Sequence, residues 1–375
     1  MGFPQQVNGE QGVAVAGDFA DSNPRTTVVP PVPGGAFVAG PNGVTVGAFA
    51  WSDANGVVNN FGPGAPTGFV HREYNALITQ FLGRTSYLIP AGLGLTLFSQ
   101  AAFWVVNGGT SATAIGQKAY ANNATGAVTF AATGNPPTSA SVTAAIAANV
   151  VTAAIAANTA TASISGTTMT VSAVGAGSVL AATQTVTGAN VAAGTVIVAQ
   201  LTGTAGSTGT YQVSISQTAA SAAVTMSGGG MTVSAVTTGT IAAGQTLTAG
   251  TGVVVGTQIL PGGTGTGGTG TYPVSNATVV SSTSITASGG TMTVSAVGSG
   301  AIVLNDNLSG TNVVAGTYVS QFLTGTGGTG TYLVSNGTAV SSTTITVQAG
   351  TETKWIALNV AQPGELVVMT THTLG

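Results

Sequence analysis

The middle of the chain carries an alternation of apolar and polar residues that returns at a fixed interval. MTVSAV occurs at Met169–Val174, Met231–Val236 and Met292–Val297, and TGTY occurs at Thr208–Tyr211, Thr269–Tyr272 and Thr329–Tyr332. Both motifs recur every 60 to 62 residues in the same order, which is typical of tandem structural repeats. Because a period of two predicts half-buried strands, we predict three β-repeats, at residues 167–227, 229–288 and 290–349.

One tyrosine recurs in every repeat, at Tyr211, Tyr272 and Tyr332. These side chains could line a sugar-binding stripe, or each could be the buried anchor of its repeat. The second interpretation is favoured, because the position recurs within the alternating core pattern.

An alanine-rich segment, residues 141–166, precedes the repeats and contains a nine-residue duplication, VTAAIAANV followed by VTAAIAANT. Its alanines permit a helix, whereas its valines and threonines favour a strand. The sequence leaves both open, and we interpret the segment as a spacer.

The two ends of the chain differ from the middle. Residues 1–140 contain short β-like runs near Val44–Trp51, Thr96–Val106 and Val128–Ala131, and a short helix is allowed at Glu73–Leu82. Residues 350–375 resume the strand pattern but are too short to fold alone. The prediction is an all-β fold: a jelly-roll or β-barrel-like base domain built from both chain ends, with the array of three β-repeats inserted into it.

Composition restricts the class of protein. Only 3% of the residues are charged, whereas 43% are hydrophobic, so we expect an ordered chain. With so little charge to keep copies apart, we expect a homo-oligomer, a trimer in preference to a dimer. The net charge of −3 leaves no basic stripe for nucleic acid. The N-terminus lacks a signal-peptide pattern, and no run reaches about 20 strongly apolar residues, so neither secretion nor a membrane span is expected.

The sequence offers little for catalysis. The chain has no cysteine and only two histidines. The triplet His71-Arg72-Glu73 is more simply an exposed or interfacial patch than part of a catalytic triad. Asp18 and Asp21 are interpreted as turn formers with a local salt bridge beside Arg25.

Two further motifs fail as ligand sites. The pattern G-x-G-x-x-G occurs at Gly265–Gly270 and Gly325–Gly330, but a strand follows it instead of a helix, and no acid lies about 20 residues on. The loop Asn305-Asp306-Asn307 has one carboxylate, too few for a dedicated Ca²⁺ site, and is predicted to be a turn. We therefore expect no catalytic residue, cofactor or metal ion.

Four segments of the chain ends carry a family resemblance. They are FPQQVNGEQGVAVAGDFADSNPR near the N-terminus, GFVHREYNALITQFLGRTSYLIPAGLGLTLFSQAAFWVV at Gly68–Val106, GQKAYANNATGAVTFAATG at Gly116–Gly134 and ETKWIALNVAQPGELVVMT at Glu352–Thr370. In these segments the chain resembles the capsid cement, or head decoration, proteins of tailed phages. The repeats lie outside this resemblance and look more loosely like β-repeats of phage head and tail appendages.

The resemblance implies a structural virion protein that is not an enzyme. Its base domain would sit on the outer surface of the phage head and bridge neighbouring copies of the major capsid protein, with the repeats projecting outward. The capsid-facing residues would come from a proline-rich arm, Val29–Phe37, which contains Pro30, Pro31 and Pro33. A charged patch would add His71, Arg72, Glu73 and Arg84.

Two other classes compete with this hypothesis. A head or tail fibre, or an adhesin, would bind host-surface glycans through the repeats and use the chain ends only for attachment. A polysaccharide-degrading enzyme on a β-scaffold would need clustered carboxylates, which the repeats lack.

Overall fold

The computed structural model describes residues 14–32, 35–72 and 87–372. These ranges contain no helix, so the predicted all-β class is confirmed, while the jelly-roll or barrel arrangement stays a prediction. The helix allowed at Glu73–Leu82 lies outside the described residues. Accordingly, the same ranges hold no helix long and apolar enough to cross a membrane.

The strands before and after residue 138 differ in length. The first twelve are β1 (Thr26–Thr27), β2 (Phe37–Ala39), β3 (Val44–Thr45), β4 (Phe49–Ser52), β5 (Val57–Asn59), β6 (Gly68–Val70), β7 (Leu88–Ile89), β8 (Gly94–Leu95), β9 (Leu97–Gln100), β10 (Ala102–Val106), β11 (Lys118–Asn122) and β12 (Val128–Ala131). The rest are β13 (Thr138–Val174), β14 (Val186–Gly188), β15 (Ile197–Gly203), β16 (Gly209–Thr238), β17 (Leu247–Ala249), β18 (Gly270–Val274), β19 (Val280–Gly300), β20 (Asn307–Gly310), β21 (Val319–Phe322), β22 (Gly330–Val334), β23 (Val340–Gln348), β24 (Gly350–Ala357) and β25 (Leu366–Thr370).

The chain divides into two compact units. The first unit comprises Met1–Thr143, Ser295–Thr329 and Thr344–Gly375, and the second comprises Ala144–Val294 and Gly330–Thr343. The first unit therefore contains both chain ends and part of the third predicted repeat, whereas the first two predicted repeats lie in the second unit.

Strands from both chain ends share a sheet in the first unit. A seven-stranded sheet has the order β1-β9-β6-β4-β5-β2-β8, and a five-stranded sheet has the order β10-β25-β24-β11-β12. In the five-stranded sheet, Trp104 of β10 pairs with Val368 of β25, and Tyr120 of β11 pairs with Glu352 of β24, both in antiparallel ladders. The C-terminal strands thus lie between strands of the N-terminal part.

The hydrophobic core of the first unit is rich in aromatic rings from both chain ends. Phe49, Phe69, Phe103 and Trp355 are buried in one cluster. The ring centroid of Phe69 lies 4.6 Å from that of Phe103 and 6.0 Å from that of Trp355. Burying a side chain of this size contributes roughly 1.5–3 kcal/mol, so this packing holds the C-terminal β24 in place.

In the second unit, the two motifs of each repeat are cross-strand partners. The antiparallel pairs are Met169 with Tyr211, Met231 with Tyr272 and Met292 with Tyr332. All six side chains are buried, and none is more than 3% exposed. A thioether beside an aromatic ring is a favourable contact that also fills irregular space. The prediction that the recurring tyrosine is a buried anchor is confirmed, so these rings do not form an exposed stripe.

The alanine-rich segment, which the sequence left open between helix and strand, is strand over its whole length as part of β13. It pairs with β16 from Val150 to Val171 in an antiparallel ladder. Buried and less buried residues alternate along it, with Val142, Ala144 and Ile146 buried at every second position. That period of two is the one a strand requires.

Candidate functional site

The described ranges, 14–32, 35–72 and 87–372, contain no group of three or more His, Asp or Glu side chains that could hold a metal ion. The residues that the sequence assigned to a binding surface belong to the first unit. Strands β1, β6 and β9 position those of them that lie within the described residues.

The sheet order brings two parts of the predicted surface to the same end of the sheet. Phe98 of β9 lies opposite both Thr27 of β1 and Phe69 of β6. Because β1 and β6 are both antiparallel to β9, they run in the same direction. The proline-rich segment that follows β1 therefore emerges at the same end as His71-Arg72, which follow β6.

The described part of the proline-rich segment is exposed and carries apolar side chains. Val29 is 83% exposed and Val32 is 41% exposed. Pro31 between them is also exposed, whereas Pro30 is half-buried. Proline fixes φ and lacks an amide donor, so the segment is stiff and offers few hydrogen bonds to a ladder. Exposed apolar side chains on a stiff segment suit contact with another protein.

His71 packs into a cluster of rings at the surface of the first unit. Its ring stacks on Phe19 with centroids 4.1 Å apart, and Phe19 in turn lies 4.9 Å from Phe103 and 5.3 Å from Phe98. The guanidinium carbon of Arg25 lies 3.4 Å from the centroid of the Phe19 ring, a cation–π contact. His71 and Arg25 thus extend the aromatic core to the protein surface.

Arg72 ties the N-terminal part of the chain to the end of β6. Its Nη1 lies 3.5 Å from Oδ1 of Asp18, and its backbone amide donates to the carbonyl of Gly17 over 3.1 Å. The side chain of Arg72 is 13% exposed and that of Asp18 is 30% exposed, so the ion pair lies near the surface. The remaining residues predicted for this surface, Pro33, Glu73 and Arg84, lie outside the described residues.

The interpretation of Asp18 and Asp21 is correct for the turn and wrong for the salt bridge. Asp21 does form a turn, since its Oδ1 accepts a hydrogen bond from the backbone amide of Asn23 over 3.1 Å. Arg25, however, donates to the backbone carbonyl of Asp21 and not to a carboxylate. The partner of Asp18 is Arg72, 54 residues away, which no local pattern could indicate.

Sequence reasoning missed an apolar groove in the first unit. Its volume is about 520 Å³, and its lining includes Val15, Val46, Tyr87, Val106 and Leu366. Tyr87 and Val106 are both more than a third exposed. The lining comes from separate parts of the chain, and each residue taken alone is an ordinary apolar residue of a strand or loop.

The chain turns at Leu304-Asn305, as predicted for this loop, Asn307 begins β20, and the carboxylate of Asp306 between them is buried. Asp306 is 1% exposed, and its Oδ2 accepts hydrogen bonds from Ser139 Oγ over 2.6 Å and from the backbone amide of Val303 over 3.1 Å. Burial raises the pKa of Asp306 to about 6, although both hydrogen bonds act against the rise. Between Lys118 and Glu352, a fully described range, the surface therefore carries no acidic or basic side chain.

Residues 3–165 match the model of a family described as XM1 gp53 minor capsid protein. The match supports a structural protein of a phage capsid. The matched range takes in strands β1–β12 and the first part of β13, and it ends before the repeat array begins at residue 167. Comparison with the curated proteins and with the solved structures gave no match.

A phage capsid protein is a component of the virion, and the description of the matched family is that of a structural protein, which argues against an enzyme. Association with the major capsid protein is consistent with such a role.

Proposed function

We propose that this chain is a capsid cement protein. Its first unit binds the outer surface of a phage head and bridges neighbouring copies of the major capsid protein, and its repeats project outward. The observation that carries the proposal is the match of residues 3–165 to a minor capsid family. That range contains the proline-rich segment and the His71-Arg72 patch.

The chemistry of this end of the sheet suits a protein partner. Val29 and Val32 offer apolar area on a stiff segment, and Arg25 offers a guanidinium already ordered on the Phe19 ring. A standard protein interface buries about 1,600 Å², and the symmetry of a shell multiplies a modest contact over many copies. Glu73, Arg84 and Pro33 complete the proposed capsid-facing set with Pro30 and Pro31.

Binding to bare heads tests the assignment of this surface. Replacing both Val29 and Val32 by Asn should weaken head binding at least tenfold, measured by co-sedimentation of purified protein with heads that lack it. The matched control replaces Val254 and Val255, another exposed pair that lies in the second repeat. This control should bind heads as the parent does. Equal binding by both variants would remove the proline-rich segment from the interface.

Shell stability tests the cementing role itself. Heads that lack the protein should release DNA at a lower temperature than decorated heads, because each bridge adds buried interface that opposes outward pressure. Adding back purified protein should restore the release temperature. The proposal is wrong if bare and decorated heads release DNA at the same temperature.

The exposed apolar turns of the repeats favour a second candidate, a fibre or adhesin that binds host-surface glycans. Val255 is 70% exposed and Val314 is 41% exposed at the same turn of successive repeats. The Val29/Val32 and Val254/Val255 variants distinguish a cement protein from an adhesin when their binding to host cells is measured as well as their binding to heads. An adhesin loses cell binding in the Val254/Val255 variant, and a cement protein loses head binding in the Val29/Val32 variant.

We also propose that the chain forms a homotrimer. The support is the surface between Lys118 and Glu352, which has no exposed acid or base to keep copies apart. Native mass measurement at low micromolar concentration should give three times the chain mass of 36.0 kDa. A monomer at that concentration contradicts the proposal.

A further inference from the structure

Serines at the same place in the three MTVSAV motifs contact β13 at a nine-residue interval. Each hydroxyl donates to a threonine carbonyl over 3.2 Å: Ser172 to Thr161, Ser234 to Thr152 and Ser295 to Thr143. The donors recur with the period of the repeats, and the acceptors recur with the period of the alanine-rich duplication. The first repeat thus contacts β13 near Thr161, the second nine residues earlier near Thr152, and the third nine residues earlier again near Thr143.

The core contacts follow the same two periods. Ala160, Ala162 and Ile164 pack in one cluster with Met169 of the first repeat. Val151, Ala153 and Ile155, nine residues earlier in β13, pack in another cluster with Met231 of the second repeat. The next set back, Val142, Ala144 and Ile146, is equally buried. Every segment therefore presents three inward side chains at the same positions.

A nine-residue period in a strand needs a correction at each segment boundary. Successive side chains of a strand face opposite sides, so an odd period would turn the apolar set of every second segment outward. Along β13 every second residue is buried from Val142 to Ile146 and from Asn149 to Ile155, and this alternation shifts by one residue between Ile146 and Asn149 and again between Ile155 and Asn158. Such irregularities restore the facing of the next segment.

A buried asparagine lies beside each of these shifts, and its side chain forms hydrogen bonds with the backbone of a repeat. Asn158 is fully buried, and its Oδ1 accepts the amide of Val179 over 2.8 Å while its Nδ2 donates to the carbonyl of the same residue over 2.9 Å. Asn149, nine residues earlier, is also fully buried, and its Oδ1 accepts the amide of Thr240 over 3.0 Å and the hydroxyl of Thr291, at the start of the third repeat, over 2.8 Å. Val179 and Thr240 hold the same position in the first and second repeats.

We propose that residues 140–166 of β13 form a docking strand in which each nine-residue segment binds one repeat: residues 158–166 the first, 149–157 the second and 140–148 the third. The number of repeats and the number of segments are then tied to each other. A repeat can be gained or lost without damage only together with its own segment. This inference does not depend on the proposed role on the phage head.

Single-residue variants test whether each segment serves its own repeat. In N158A, the amide of Val179 should exchange its hydrogen about tenfold faster or more, while that of Thr240 keeps its rate. In N149A the pattern should reverse. Hydrogen exchange of the full chain, resolved to single amides, measures both. The inference is overturned when either variant accelerates the two amides equally or accelerates neither.

Paired deletions test whether each repeat depends on its own segment of β13. They test the inference even where an asparagine variant does not fold. Three variants of the full chain are compared: one lacks Asn149–Ala157, one lacks the second repeat from Gly229 to Ser288, and one lacks both. Deleting the segment removes the residues that pack against Met231 and Val233. Deleting the repeat removes the residues that pack against Val151 and Ile155. The double deletion should melt at a higher temperature than both single deletions. Any other order overturns the inference.

Discussion

The base strands and the repeats bury their apolar residues in different ways. In the base, strands of two to eight residues bring together aromatic rings that are far apart in the sequence, as with Phe103 and Trp355. In the repeats, aliphatic side chains surround a cross-strand pair of methionine and tyrosine, and Met231 pairs with Tyr272 as Met169 pairs with Tyr211.

This difference decides what a sequence can reveal. Each contact in the repeats is a copy, so its period is visible in the amino-acid sequence alone. The aromatic contacts of the base, such as that of Phe103 with Trp355, occur once and join residues far apart in the sequence, so no period reveals them. The charges follow the same division. The acids and bases lie almost entirely in the chain ends, and the one in the repeats, Asp306, is buried.

The largest expected effect comes from truncating the aromatic core of the base. F103A should cost about 3–5 kcal/mol of unfolding free energy, because it leaves a cavity beside Phe69 and Trp355. All three tryptophans belong to the first unit, so tryptophan fluorescence during denaturant unfolding reports its stability. Y211A removes an equally buried ring from the repeats and serves as the matched variant. If it lowers the tryptophan midpoint as far as F103A does, the separation of the two cores is wrong.

The next effect concerns the one acid of the repeats. The pKa of Asp306 is about 6 when folded, against an ordinary value of 3.8, so the folded chain holds this proton more tightly than the unfolded chain. The stability that this proton contributes is therefore fully present below about pH 3.8 and is lost as pH rises through about 6, by up to about 3 kcal/mol. Thermal unfolding between about pH 3.5 and about pH 7 measures this loss.

D306N is the matched control for this pH dependence. Its amide keeps an acceptor for the Val303 amide and has no proton to lose, as for the glutamine Gln245, whose Oε1 accepts the amide of Ala242. The ionisable groups on elements near the loop are Lys118 and Tyr120 on β11, Glu352 and Lys354 on β24, and Tyr318. The variant retains all of these and both histidines, so the difference between the two profiles isolates Asp306. Parallel profiles would show that folding does not raise the pKa of Asp306.

The all-β class and the buried tyrosines were predictable, because alternation and period are local properties of the chain. The strand at residues 141–166 was not, although its duplication was visible. Alanine is compatible with both helix and strand, and only the cores that Ile155 and Ile164 enter decide between them. The role of the nine-residue period is not visible in the sequence, because the residues that contact it, such as Ser234, lie about 80 residues later in the chain.

The candidate site was predictable only in part. The proline-rich segment and the His71-Arg72 patch were singled out by composition and by resemblance, and the register of β1, β9 and β6 gives a physical reason to group them. Their role in binding a capsid stays a prediction. The stacking of His71 on Phe19 and the groove beside Tyr87 depend on strands pairing across long stretches of sequence, so no local pattern indicates them.

The smallest expected effect tests whether charge matters in the base. The ion pair of Asp18 and Arg72 is long, at 3.5 Å, and lies near the surface, so D18N should cost only about 0.2–1 kcal/mol. A double-mutant cycle of D18N and R72Q isolates the coupling from the other contacts that Arg72 makes. Because salt screens exposed charges, the coupling should shrink as the ionic strength is raised to about 1 M. The repeats have no exposed charge, so a melting step that reports them should keep its midpoint under the same change, apart from the general effect of salt on apolar burial. A coupling that is unchanged by salt would mean that the contact between Asp18 and Arg72 acts through packing and hydrogen bonding instead of charge.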